Sequence, residues 1–377
     1  MDTSMDRLKQ LRTRTSSMVE QLRTLVEAES PSNDREATTG CAKAIAGIAG
    51  KLVGAEPVLR EIDGHGHLLW RFGPSTRVLL IGHFDTVWPA GTIARWPFAV
   101  AGDRASGPGA FDMKSGIVQS LHALSMLPDP DGVTVLLTSD EEIGSPTSST
   151  LIAELASSAE AALVLEPSEG GALKTGRKGV TMYTIEITGR AAHAGLEPAN
   201  GANALVEAAN QILALETMAD PIAGTTVTPT IAHAGSAINV VPATARIEID
   251  VRAPTIAEQN RVHEQMQRLS SHVSGTTIRV TGVPNRPPME LSSSADLFAR
   301  ATAIANRLGI GPLRGVTVGG ASDGNLTAAA GCPTLDGLGG VGAGAHAEGE
   351  YVEISAMAPR ACLLAALIEE LLDGGPR

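Results

Sequence analysis

Between about Gly179 and Gly282 the apolar runs change their order, and that change constrains the fold more than any other feature of the chain. The pattern there predicts a strand (Thr181 to Thr188), a helix (Ala202 to Leu215), two strands (Thr226 to Ala232, Ala243 to Val251), a helix (Thr255 to Val273) and a last strand (Thr276 to Thr281). This is the β-α-β-β-α-β order of the ferredoxin-like split motif. Its sheet carries helices on one face and leaves edges that a second copy of the chain could cover. On either side the pattern differs. Short Val- and Leu-rich runs at Arg77 to Ile81, Val133 to Thr138 and Ala162 to Leu165 alternate with helical stretches at Ser115 to Leu127 and Ser149 to Ser157. Helices are also expected over Met5 to Ala28, Glu36 to Leu52, Ser294 to Leu308 and Ala356 to Leu372, with a Gly-rich loop at Gly319 to Gly324. Alternating strands and helices imply a mainly parallel sheet. The expected fold is therefore α/β: a mixed sheet flanked by helices, built from residues 1–178 and 284–377, with a ferredoxin-like α+β domain inserted at residues 179–283.

Composition removes several classes of function. A formal charge of −12 opposes binding to nucleic acid or to an anionic membrane, because phosphate contacts need clustered Lys and Arg. The 43% apolar content against 19% charged suits a large buried core. Cys41, Cys332 and Cys362 are odd in number and far apart, so neither a disulfide framework nor a Cys-type zinc site is expected. With no continuous apolar segment near the N-terminus and none long enough to span a bilayer, the expected location is the cytoplasm.

The residues able to do chemistry follow the apolar runs. His83 and Asp85 come after the first, Glu141 and Glu142 after the second, Glu166 after the third, and Asp112 just precedes the Ser115 helix. Open α/β sheets bind ligands beyond the carboxyl ends of their strands, so these groups should gather at one edge. Asp85, two residues from His83, could fix the imidazole tautomer that leaves one ring nitrogen for a metal. Asp112 has two oxygens and could bridge two ions, while Glu142, Glu166 and His346 are further donors suited to zinc. Glu141 then remains as a base for water activated by the metal.

The runs Gly82-His-Phe-Asp-Thr-Val87, Gly107-Pro-Gly-Ala-Phe-Asp-Met-Lys-Ser-Gly116, Ser139-Asp-Glu-Glu-Ile-Gly144, Leu165-Glu-Pro167 and Gly344-Ala-His346 resemble, in this order, the motifs of a zinc metallopeptidase family. That family includes glutamate carboxypeptidase, aminoacylase and acetylornithine deacetylase, and the glutamate carboxypeptidase branch is the nearest. The resemblance covers nearly the whole chain. It implies two Zn2+ per subunit, with Mn2+ or Co2+ as substitutes: His83 and Glu166 on one, Glu142 and His346 on the other, and Asp112 bridging. It implies Asp85 supporting His83 and Glu141 as general base. Phe84 stands where the family often has Met. His193, in Ala191-Ala-His193-Ala-Gly195, resembles the histidine that stabilises the oxyanion, commonly in the partner subunit's site. Asn239 and Arg252 match positions that contact substrate, and Lys174 and Arg286 match groups that meet an acidic side chain. The inserted domain would then act as lid and dimerisation surface.

Gly320-Ala-Ser322-Asp-Gly324 offers a rival reading, because it fits the nucleophile elbow of serine hydrolases and is followed by Asp336 and His346. It leaves His83, Asp112 and the Glu pair without a role. Gly171 to Lys178 has glycines near P-loop spacing, but Arg177 occupies the Lys position. His65 and His67 are expected in a surface turn, and His122 as a packed or solvated helix residue. A scaffold without turnover is opposed by the complete donor set. The expected protein is a dimeric two-zinc amidohydrolase or carboxypeptidase acting on an N-acyl amino acid or small peptide with a free carboxylate, glutamate being one candidate product. A biosynthetic N-deacylase of the same family is the alternative.

Overall fold

The computed structural model describes residues 3–374; the first two and last three residues of the ranges expected above lie outside the described residues. The chain divides into two compact units, one of residues 1–176, 291–317 and 322–377, the other of residues 177–290 and 318–321.

The larger unit is built on a six-stranded sheet. Its strands lie in the order Val58–Ile62, His65–Phe72, Val133–Thr138, Val78–His83, Ala161–Val164, Thr334–Leu335. Val78–His83 pairs in parallel with Val133–Thr138 on one side and Ala161–Val164 on the other, and every residue of these three strands is buried. Strands covered on both faces read as continuous apolar runs, which is how the sequence shows them. The chain turns to opposite sides of Val78–His83, so the carboxyl ends of the three strands share one edge at a topological switch point.

The sheet is mixed because a hairpin adds to its edge. His65–Phe72 runs antiparallel to Val133–Thr138, and Val58–Ile62 antiparallel to His65–Phe72. This corrects the surface turn expected for His65 and His67: both lie on a strand, and His67 is fully buried. Its Nδ1 accepts from the Ser139 N–H (3.3 Å), which leaves Nε2–H to donate to Thr147 Oγ1 (3.0 Å). The turn lies two residues earlier, at Asp63-Gly64, where both residues have positive φ (47° and 80°), the backbone that tight hairpins favour.

Helices cover the sheet. In Thr15–Glu27 the buried residues Met18, Val19, Leu22, Leu25 and Val26 form one apolar stripe. The single helix expected over Met5 to Ala28 is two, Thr3–Thr13 and Thr15–Glu27, with Arg14 (φ −94°, ψ 1°) between them. Ser115–Leu124 is buried at all ten positions and packs against Ile354–Asp373. No helix among the described residues is long and apolar enough to cross a membrane.

The smaller unit has a four-stranded antiparallel sheet in the order Thr226–Ala234, Thr244–Ala253, Gly179–Thr188, Thr277–Thr281. Burial alternates along Thr244–Ala253, so Ala245, Ile247, Ile249 and Val251 face the helices Ala204–Glu216 and Ile256–Gln267. Both helices begin at a capping side chain: Asn203 accepts from the N–H groups of Leu205 and Val206, and Thr255 from that of Glu258. The edge strand Thr226–Ala234 is largely exposed.

Candidate metal centre

His83 ends the central strand, and only 1% of it is exposed. Its Nδ1 lies 3.0 Å from the carbonyl of Asp85, so Nδ1 carries the proton and Nε2 is free. Nε2 faces Asp112 Oδ1 at 3.3 Å and Glu166 Oε1 at 3.4 Å. Asp85, fully buried, also organises the Glu pair: Oδ1 accepts from the Glu141 N–H (3.2 Å), and Oδ2 from the Glu142 N–H (3.1 Å) and Ser32 Oγ (2.7 Å). Glu141 and Glu142 lie on one short turn, Glu141–Ile143, just past the end of Val133–Thr138. Asp140 closes the following loop by accepting from the hydroxyls of Thr147 (2.7 Å) and Ser148 (2.6 Å).

Asp112 lies in the tight turn Ala110–Lys114, ahead of the buried helix. Its second oxygen, Oδ2, is 3.4 Å from His346 Nε2, and that nitrogen is 3.2 Å from Glu142 Oε2. The donors thus fall into two sets that share Asp112: His83 with Glu166, and His346 with Glu142. Atoms of His83, Asp112 and Glu142 lie within 4.8 Å of one another, as do atoms of His83, Glu141 and Glu166. His346 has φ 61° and a half-exposed side chain, whereas His83, Asp112, Glu142 and Glu166 are shielded.

The electrostatics call for cations. Burial disfavours charge on Asp112, yet the imidazoles of His346 and His83 beside it hold its carboxyl below the usual carboxylate range. Burial acts against protonation of His83, but Asp112, Asp85 and Glu166 raise its pKa well above that of a free imidazole. Asp112 and Glu142 raise His346 to about 10, while burial pushes Glu142 upward. Asp112 Oδ1 is buried without a hydrogen-bond partner. An orphaned carboxylate oxygen between imidazoles and further carboxylates is what a metal ligand looks like before its ion is counted. The residues fit a divalent cation, and the mixed N and O donors suit zinc.

Glu350 went unnoticed in the sequence. Its Oε1 accepts from the N–H groups of Phe111 (2.9 Å) and Asp112 (3.4 Å), and its Oε2 from Trp88 Nε1 (3.1 Å). Burial, chiefly, raises its pKa to about 7. Its only sequence signal is an acid four residues beyond His346.

Among the other expected residues, Lys174 is buried on Leu173–Arg177 with Nζ 3.8 Å from Glu166 Oε2. His193, Asn239, Arg252 and Arg286 belong to the smaller unit. His193 is exposed, and its Nδ1 accepts from the N–H groups of Gly195 and Leu196 (both 3.1 Å), so Nε2 carries the proton in the neutral ring. The Asn239 carbonyl accepts from the Ala194 N–H at 2.9 Å, which sets these two loops side by side. Arg252 is held by Asp250 through Nε and Nη2, both at 2.8 Å, so two donors of its fork are engaged within the chain. Arg286 is buried, with its backbone paired to Val180.

Ser322 is no nucleophile. It is fully buried, its Oγ caps the helix Asp323–Ala329 by accepting from the Gly324 N–H (3.0 Å), and it donates to Asp336 Oδ2 (2.8 Å). A nucleophile elbow needs an exposed hydroxyl on a histidine. His122 is packed in its helix, with Nε2 2.8 Å from Gln21 Oε1.

Residues 79–370 match the family described as Peptidase family M20/M25/M40. The chain is 34% identical to carboxypeptidase G2 of Pseudomonas sp. (strain RS-16) over 339 residues, 86% of this chain and 79% of that protein. It is 31% identical to succinyl-diaminopimelate desuccinylase of Acinetobacter baylyi over 323 residues, 77% of this chain and 82% of that one. Among solved structures, aminopeptidase PepT from Bacillus cereus superposes with a TM-score of 0.74 at 20% identity, covering 95% of this chain and 99% of that one. The M20 family metallo-carboxypeptidase Sso-CP2 from Sulfolobus solfataricus gives 0.69 at 16% identity, covering 94% and 98%. These two likenesses concern the fold.

Proposed function

Because the chain belongs to peptidase family M20/M25/M40, and so is a metallohydrolase acting on amide or peptide bonds, we propose that it is a two-zinc amidohydrolase of carboxypeptidase type. Its substrate is an N-acyl amino acid or small peptide with a free carboxylate, and glutamate is among its products. One observation carries this reading: the two oxygens of Asp112 face two different imidazoles, and one of those oxygens is buried without a partner. We assign His83 and Glu166 to one zinc, His346 and Glu142 to the other, and Asp112 to both, with Mn2+ or Co2+ as substitutes.

When bound, such ions make water more acidic and polarise a carbonyl. The rest of the chemistry belongs to side chains. Glu141 takes the proton of the attacking water and returns it to the leaving amine. Its N–H is anchored on Asp85, and a carboxylate oxygen lies close to the donor atoms of His83 and Glu166. His193 donates from Nε2 to the charge growing on the carbonyl oxygen, a role supported by the two N–H groups that occupy Nδ1. Substrate carboxylates are assigned to Asn239, Arg252, Lys174 and Arg286. For Arg252 the support is that Asp250 orients the guanidinium by two bonds while Nη1 remains.

The likeness to a desuccinylase favours a second reading, removal of an acyl group from a biosynthetic intermediate. A panel of N-acyl glutamates, N-succinyl amino acids and dipeptides separates the two by their kcat/KM values. Glu141→Gln should retain the wild-type metal content and lose turnover by about 10²- to 10⁴-fold, the range for a lost general base. Near-normal turnover in that variant removes Glu141 from the role, and full activity after chelation of the metal removes the whole reading. We further propose a homodimer formed through the smaller unit, supported by its exposed edge strand and by the exposed Leu205, Leu213, Ile231 and Ile238. A reducing compartment, the cytoplasm, suits three buried cysteines.

A further inference from the structure

We propose that an arginine-lined cavity of the larger unit, sharing no residue with the metal centre, binds a phosphate group, either free or carried on a small organic molecule. The cavity has a volume of about 460 Å³ and is lined by Arg12, Arg314 and Arg360 with no acidic residue. In a chain of formal charge −12, three arginines among the residues lining one cavity, with no acidic residue beside them, reverse the general balance.

Arg360 makes the strongest case. It is 5% exposed on the helix Ile354–Asp373, and its bonds are two from Nη2, to the carbonyls of Gly171 (3.2 Å) and Gly337 (3.3 Å). Its Nε is buried without a partner. Burial alone lowers its pKa to about 10, with no acidic side chain acting against it. A guanidinium this deep is ordinarily paired, because an unpaired buried charge is costly. Holding two glycine carbonyls explains Nη2; it does not explain the presence of Arg12 and Arg314 at the same cavity. An anion in the cavity explains why the three arginines meet there. Arginine forks match the paired oxygens of a phosphate, and the neighbouring Ile310, Pro312 and Leu313 offer apolar wall for an organic part.

The site also lies behind segments that serve the metal centre. Gly171 falls between Glu166 and Lys174, and Gly337 follows Asp336, whose backbone pairs with Lys174. Two residues on, the Gly339 N–H donates to the Glu166 carbonyl at 2.9 Å. An anion on Arg360 would therefore brace the backbone that carries Glu166 and Lys174.

The test is titration calorimetry of the metal-loaded protein with inorganic phosphate and, separately, glycerol 3-phosphate, in a buffer free of both at constant ionic strength. Wild type should bind saturably, and Arg12→Ala with Arg314→Ala should bind about tenfold more weakly or not at all, as expected for lost charge-assisted bonds. Both arginines are exposed, so the double variant should fold, and wild-type metal content will verify it. Tighter binding of the ester identifies an organic phosphate as the occupant; equal binding identifies the free ion. Unchanged phosphate affinity in the double variant places the anion on the metals and overturns the proposal, as does saturable binding of succinate alone.

Discussion

A carboxylate that never touches a metal can still decide whether the metal stays. Glu350 accepts the N–H groups of Phe111 and Asp112 on one oxygen and the Trp88 indole on the other, so it fixes the backbone from which Asp112 reaches both imidazoles. Glu350→Gln replaces one of those acceptor oxygens with a donor of the same shape. The expected result is a metal affinity weaker by about 10- to 100-fold, the usual scale for losing an outer partner of a ligand. Metal retained against graded chelator measures it, and turnover of the fully loaded variant should stay within a few-fold of wild type. Retention equal to wild type would mean that the turn holds Asp112 unaided.

At the scale of elements, close packing of a helix on the sheet sets the distances between donors. A Cβ on Gly116 would stand 2.1 Å from the carbonyl oxygen of Leu165, the residue before Glu166. Gly116→Ala must push the helix Ser115–Leu124 away from that strand end, and overpacking of this kind costs about 1–3 kcal/mol. Gly47→Ala should do the opposite. It lies in the helix Arg35–Leu52 with nothing within 4 Å of its Cβ, and relief of backbone entropy should stabilise by about 0.5–1 kcal/mol. Urea unfolding of both variants checks the signs; like signs would refute the packing account.

The same elements show what could be read from sequence. Val78–His83, Val133–Thr138 and Ala161–Val164 were legible because strands buried on both faces leave unbroken apolar runs, and groups placed just after such runs converge when the strands are parallel. The hairpin Val58–Phe72 was not, since Val58–Ile62 is exposed along most of its length and its partner opens with two histidines around a glycine. The break at Arg14 has no Gly or Pro to announce it. Glu350 was invisible for a different reason: a glutamate in a Gly-rich loop looks solvated until tertiary packing buries it.

At the scale of the whole molecule, the smaller unit carries its own core, centred on Tyr183, Ile185, Ile247, Ile249 and Val262, yet leaves large apolar side chains in water. Leu205 is 51% exposed and Ile238 fully so, and both border one surface hollow beside the edge strand. A second copy covering that surface is the economical remedy. Sedimentation velocity should find a dimer in the wild type and a monomer in the double variant Leu205→Glu, Ile238→Glu. A monomeric wild type across micromolar concentrations would defeat the assignment.

The order in which the donors occur along the chain has a consequence during synthesis. His83, Asp112, Glu142 and Glu166 are all made before the first residue of the smaller unit, and His346 only after its last. A ribosome part-way through the insertion therefore presents a nascent polypeptide with one imidazole of the cluster and an excess of carboxylates. Emergence of His346 supplies the second imidazole, so the birth of the complete site is timed by translation of a segment that contributes none of the five proposed donors.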